Sequence, residues 1–267
     1  MTAGNSVVKL TAKTALKNNW LKCIAASLTP IFSSLILLIA ADYAADISND
    51  AVGYILLAVS AVFLIFPLLL GLVRFFWRMI FGADDRQLVL FYYFSDSEKY
   101  KRALRLSVAL SLRTLGFAVI LFLPAIIVDL FSGVKIYDMM DIPIPIWTGN
   151  LYYLSVFLKT VAAVVLFFII SRYYLAPFLA VADEDMDVAE AIHMSCTISK
   201  DTVVEFIYLI FSFLGWILIS ALIFPLVFTM PYFMTSLSVH VRFAVAEYNK
   251  KVKKNSDSGI PTFVAEI

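Results

Sequence analysis

The chain has 267 residues, 62% of them hydrophobic and 15% charged, with a mean hydropathy of +0.90 and a formal net charge of +1. A soluble domain of this length cannot cover so much apolar surface with so few polar residues, so the class is an all-α, polytopic membrane protein. The near-neutral charge leaves no global basic field for nucleic acid.

The N-terminal segment is basic, with Lys9, Lys13, Lys17 and Lys22. An apolar stretch follows at 21–43, close to the roughly 20 residues a membrane helix needs. The basic leader is long for a signal peptide and no A-x-A site follows the apolar core, so this stretch is read as a retained span. Further spans are expected at 52–73, 107–131, 151–171, 203–224 and 226–247. A tight turn near Pro225 separates the last two, and Pro231 opens or kinks the sixth. These spans make 1–250 a single membrane domain of six helices, followed by a polar cytoplasmic tail at 251–267.

Basic residues fix the orientation. They crowd the N-terminus, the loop after the second span (Arg74, Arg78, Arg86, Lys99, Lys101, Arg102, Arg105) and the C-terminus (Lys250, Lys251, Lys253, Lys254). The first outer loop carries only acids, Asp42, Asp46 and Asp50, and the 132–150 loop has Lys135 alone. Both termini are therefore expected inside. Cys23 and Cys196 lie near inner ends, where thiols stay reduced, and make no disulfide framework.

A local pattern recurs before each outward-going span: KTALK at 13–17, KRALR at 101–105 and AEAIH at 189–193. The second and third continue with small residues at a spacing of four: Ala103, Ser107, Ser111 and Ala191, Ser195, Ser199. Each return span ends at an arginine: Arg74, Arg172 and Arg242. One reading is a three-fold parallel repeat of an amphipathic cytoplasmic elbow helix plus a hairpin, its small residues allowing close packing and its arginines anchoring to headgroups. The other is that such residue types are common at these places.

Ionisable residues in the spans are few. Lys159 lies deep in the fourth span, at a cost of about 3 kcal/mol on insertion scales. Asp129 and Asp42 are its candidate partners, in a polar site opening outward; the competing reading is a lysine snorkelling to the headgroups. The run Asp183-Glu184-Asp185-Met186-Asp187 lacks the glycine of a calcium loop, and acids at that place favour the start of the helix that follows. His193 and His240 form no HExxH, and no GxSxG, P-loop or GxGxxG occurs, so no catalytic, metal or cofactor site is expected.

Several stretches together resemble a known family: Ala15 to Trp20, Tyr174 to Asp183, the Ala191/Ser195 segment, and Phe211-Ser212-Phe213-Leu214-Gly215-Trp216 followed by Pro231-Tyr232. In order and spacing they resemble a domain-of-unknown-function family of bacterial six-helix integral membrane proteins. A weaker similarity links them to the membrane domain that precedes some glycerophosphodiester phosphodiesterases, whose catalytic domain this chain lacks. The family often has a glycine and lysine before the fifth span, where Ser199, Lys200 and Asp201 stand here. The resemblance implies a bacterial cytoplasmic-membrane location and a single membrane domain, and carries no activity.

The expected role is non-enzymatic: transport, or membrane partner of a transport or envelope system. The alternative is an envelope-stress or immunity-type protein that binds a protein or lipid; an intramembrane enzyme ranks last. Expected partners are membrane lipid and a cytoplasmic or membrane protein, with no cofactor.

Overall fold

The computed structural model describes residues 4–83, 87–132, 146–219 and 225–256, and these are helical with no strand among them. In chain order the helices are α1 (Asn5–Leu16), α2 (Trp20–Ile47), α3 (Asp50–Ser60), a π-helical turn (Ala61–Ile65), α4 (Phe66–Ile80), a 3-10 segment (Gln87–Phe94), α5 (Ser97–Ser132), α6 (Ile146–Ile170), α7 (Ala176–Ala182), α8 (Val188–Ser212), α9 (Leu214–Ile219) and α10 (Leu226–Ser256).

Among the described residues, four helices are long and apolar enough to cross a membrane: Trp20–Ile47, Asp50–Ile80, Ser97–Phe131 and Asn150–Ile170. They coincide with the first four expected spans. The expected fifth span, 203–224, is not one helix. Its first half finishes α8, the chain turns at Phe213, and α9 follows to Ile219; 220–224 lie outside the described residues. The expected sixth span is the first part of α10, where Thr229, Thr235, Ser236, Ser238 and His240 dilute the apolar character and are all buried. α10 also runs past the expected end of the membrane domain at 250 to Ser256.

The chain forms two compact units, residues 1–108 with 173–267, and residues 109–172. The first unit has its core at one end of its spans. α4 is buried along nearly its whole length, whereas α2 is buried at Cys23, Ala26, Ser27 and Pro30 and again only at Ala41. Burial marks where protein surrounds these helices; the exposed apolar stretch between, from Phe32 to Ile39, suits lipid. The second unit is the hairpin formed by the later part of α5 and α6.

Separate elbow helices occur once. Lys17 to Asn19 break α1 from α2, asparagine being a poor helix former. The other two expected elbows run unbroken into the next helix, as the first turns of α5 and α8, because nothing between Lys101 and Ser111 or between Ala189 and Asp201 interrupts the ladder.

The break between α3 and α4 has a local cause. Pro67 has no N–H for the Phe63 carbonyl, and the Phe66 N–H bonds to Ala61 in the π register, which also frees Val62. Carbonyls freed within a span need partners, because lipid offers none. Tyr100 donates its hydroxyl to Phe63 O at 2.9 Å, and Ser107 donates to Val62 O at 3.3 Å. The start of α5 is thereby seated on the π turn. Gly71 lets the 3-10 segment close on α4: a Cβ there would lie 2.0 Å from the Leu90 carbonyl oxygen.

Candidate functional site

The densest polar cluster joins α4, the 3-10 segment, the start of α5 and the loop between α7 and α8. Arg74 is 7% exposed and ion-pairs with Glu184 at 2.5 Å. Tyr92 donates to the other carboxylate oxygen of Glu184 at 2.8 Å. The Arg74 guanidinium lies 3.6 Å from the Tyr92 ring centroid, and the Lys99 ammonium is 4.1 Å from it. Arg102 donates to three loop carbonyls: Asp183 and Met186, each at 2.7 Å, and Glu184. This grip answers the orphaned carbonyls beyond the end of α7.

Inside the loop, the Asp183 carboxylate accepts from the N–H groups of Asp185 and Met186, and Asp187 caps α8 by accepting from Ala189 N at 3.2 Å. The acidic run is thus a capped connection held by two arginines. Burial raises the Glu184 carboxyl, but hydrogen bonds from Tyr92 and Arg74 and the charges of Arg74 and Lys99 outweigh it, leaving it below the usual carboxylate range. Burial pushes the neighbouring Tyr93 hydroxyl up to about 12. Beside the clasp, a cavity of about 350 Å³ opens between Trp77 of α4, Phe81 just past its end, and Val181 of α7.

Arg74, expected as a headgroup anchor, is turned inward and pairs with Glu184. Arg242 is exposed and stacks over Phe81 at 4.6 Å, and Arg172 is half-buried. Of the small-residue stripes, Ala103, Ser107, Ala191, Ser195 and Ser199 are fully buried. Ser111 is exposed and does not share this packing, because α5 leaves the first unit after Val108.

The second unit holds the expected intramembrane pair. The Lys159 ammonium lies 2.5 Å from Asp129, and Ser155 donates to the same carboxylate. The two charged side chains are 41% and 33% exposed. Asp42 belongs to the first unit, where it is exposed and lines an open cavity of about 270 Å³ at the α2–α3 turn.

A third polar group is closed off in the first unit. The Tyr174 hydroxyl is 3.1 Å from both Thr202 Oγ1 and His240 Nε2, and the Tyr174 ring stacks on Phe206 at 4.0 Å. His240 is 3% exposed.

Residues 1–244 match the family described as "Protein of unknown function (DUF975)". The chain belongs to this family. No curated protein and no solved structure matches it.

The expected domain-of-unknown-function membership is thereby borne out, and the family supplies no chemistry to place on these residues. Sequence reasoning found Lys159 with Asp129 but missed the Arg74–Glu184 clasp. Its signal was available: an arginine inside an apolar helix end and an acidic run, each lacking a local partner, in a chain with few charges.

Proposed function

We propose that this protein is a non-enzymatic, multi-pass protein of the bacterial cytoplasmic membrane, with both termini inside, and that it acts as a membrane partner. The observation that carries this reading is the clasp. Two arginines, a tyrosine and an acidic loop tie four chain segments together at the basic end of the spans. This holds Asp185, Asp187 and Glu190 exposed on a fixed edge. A rigid acidic edge suits the docking of a basic segment of a cytoplasmic or membrane protein. The non-enzymatic part is supported by the placement of His240, hydrogen-bonded and sealed against substrate.

The test is photo-cross-linking from a reactive side chain placed at Glu190 in native membranes. A discrete protein adduct that disappears when Asp185 and Asp187 are also made asparagine supports the reading. Adducts to lipid alone refute it.

Transport is the second reading, favoured by the Lys159–Asp129 pair, a charged group where apolar residues would insert more easily. Flux into proteoliposomes that is lost in Lys159→Met would establish transport over partner binding.

A further inference from the structure

We propose that α8, α9 and α10 do not make a fifth and sixth crossing: they lie across the inner ends of α2 and α4, with the apolar face Val204, Tyr208, Phe211 and Leu218 set against the lipid of the inner leaflet.

The argument starts from α2 and α4. Cys23 Sγ at the start of α2 is 3.1 Å from Met79 Sδ at the end of α4, so these two ends are level, and they are the basic, inner ends. α10 touches this level at two separated points. Phe228 packs on Trp20, the first residue of α2, with ring centroids 6.2 Å apart. Arg242 lies over Phe81, just past the end of α4. From Phe228 to Arg242 the helix advances roughly 21 Å at 1.5 Å per residue. A helix parallel to the spans would carry Phe228 most of the way across the bilayer from Arg242, yet both meet the same end of the α2–α4 pair. α10 therefore runs crosswise.

α1 and α8 agree with this. Lys13 of α1 sits 5.9 Å from the Tyr232 ring, beside the early part of α10. Lys9 donates to the Ser212 carbonyl at 3.1 Å, at the C-terminus of α8, and lies 4.7 Å from the Phe213 ring. A cation at a helix C-terminus is favourable. In a fifth crossing Ser212 would stand near mid-bilayer, out of reach of a basic helix that precedes the first span. The burial of Thr235, Ser236, Ser238 and His240 also fits a helix surrounded by protein.

The first half of α8 exposes Glu190, His193, Lys200 and Asp201, but from Val204 onward what is outward on α8 and α9 is mainly apolar: Val204 at 58% exposure, Tyr208 at 65%, Phe211 at 60% and Leu218 at 67%. The first three recur at helical spacing on one face. A face this apolar, continuous with helices that end at the inner boundary and flanked by the lysines of α1, matches the acyl–headgroup boundary of an anionic leaflet.

The test is sidedness of the turn before α10 in the full chain, with Cys23→Ala and Cys196→Ser as background. Pro225→Cys is compared with Ser48→Cys, in the outer turn, and Lys250→Cys, inside, using a membrane-impermeant maleimide. Labelling of Pro225→Cys only in inside-out vesicles, together with Lys250→Cys, is the expected result. Labelling from the outside, together with Ser48→Cys, overturns the proposal. If Pro225→Cys folds poorly or reacts from neither side, a Gly-Ser-Cys-Ser-Gly insertion after Pro225 gives the same two outcomes. The occupant of the face is read with a nitroxide on Leu218→Cys in phosphatidylethanolamine–phosphatidylglycerol vesicles. Collisions with oxygen exceeding those with a water-soluble nickel chelate are expected; the reverse ratio, or immobilisation by a co-purifying protein, overturns lipid as the partner.

Discussion

Replacing Glu184 by glutamine tests whether the clasp holds the first unit together. Arg74 is almost completely buried, while the Glu184 side chain is 46% exposed. Stranding a fully buried charge would cost about 3–5 kcal/mol. Half the pair is solvated here and glutamine keeps one acceptor, so the loss is nearer that of a charge-assisted hydrogen bond, about 1.5–3 kcal/mol. Arg74→Met alone removes the buried charge but leaves Glu184 free to turn to water, so it should be milder. The pair should be non-additive: the double variant should be no worse than Glu184→Gln, with a coupling energy of about 1–2 kcal/mol. Thermal unfolding in lipid nanodiscs gives the four corners of the cycle, at roughly 2–4 °C per kcal/mol. Additive single effects, or a Glu184→Gln midpoint equal to that of the unmodified protein, would refute the clasp as an energetic unit.

Four further outcomes follow from the same geometry. Because the folded-state value of Glu184 lies below its unfolded value, the clasp stabilises above the ordinary carboxylate range and is lost as pH falls through the lowered folded value; hydrogen exchange of 183–190 should accelerate on acidification in the unmodified chain, and the acid-dependent part should vanish in Glu184→Gln. Gly71→Ala should sharply reduce the yield of folded protein in membranes, since the added Cβ would lie 2.0 Å from a backbone oxygen of Leu90 that has no flexible side chain to swing away; yield and stability equal to the unmodified protein would deny the close approach. Tyr100→Phe should destabilise by about 1–3 kcal/mol by orphaning the Phe63 carbonyl, and Pro67→Ala, which restores an N–H there, should recover part of the loss. Lys159→Met and Asp129→Asn should each lower thermal stability while Lys159→Met with Asp129→Leu recovers it, as for a hairpin staple; a double variant as weak as the worse single would count against that role.

The first four spans were legible because each is a long apolar run bounded by charge, and one helix satisfies its own backbone in lipid. Lys159 with Asp129 was legible because an intramembrane lysine in a charge-poor chain has few partners. The clasp was not, because Arg74 and Glu184 are far apart in sequence and the positive-inside bias offered a simpler account of an arginine at a span's end. The elbow pattern marked real packing positions: Ala103, Ser107, Ala191, Ser195 and Ser199 are all buried. It gave no warning that only the asparagine-rich 17–19 turn separates an elbow from its span.

The last two expected spans show where charge counting stops being informative. The turn near Pro225 contains no lysine or arginine, so moving it from the outer to the inner side changes no term in the positive-inside count. A hairpin also returns to the side it left, so the C-terminal lysines remain inside whether α8 to α10 cross the bilayer or lie beneath it. Hydropathy discriminates no better, because an interfacial face and a lipid-facing span both ask for Val204, Tyr208 and Phe211. What separates the two arrangements is tertiary: whether Phe228 sits opposite Trp20 at the inner end of α2, or a bilayer's width away from it. The arrangement proposed above rests on the first, the two rings lying 6.2 Å apart. It also explains why α10 tolerates a row of Ser, Thr and His that a helix facing lipid would carry only at a penalty.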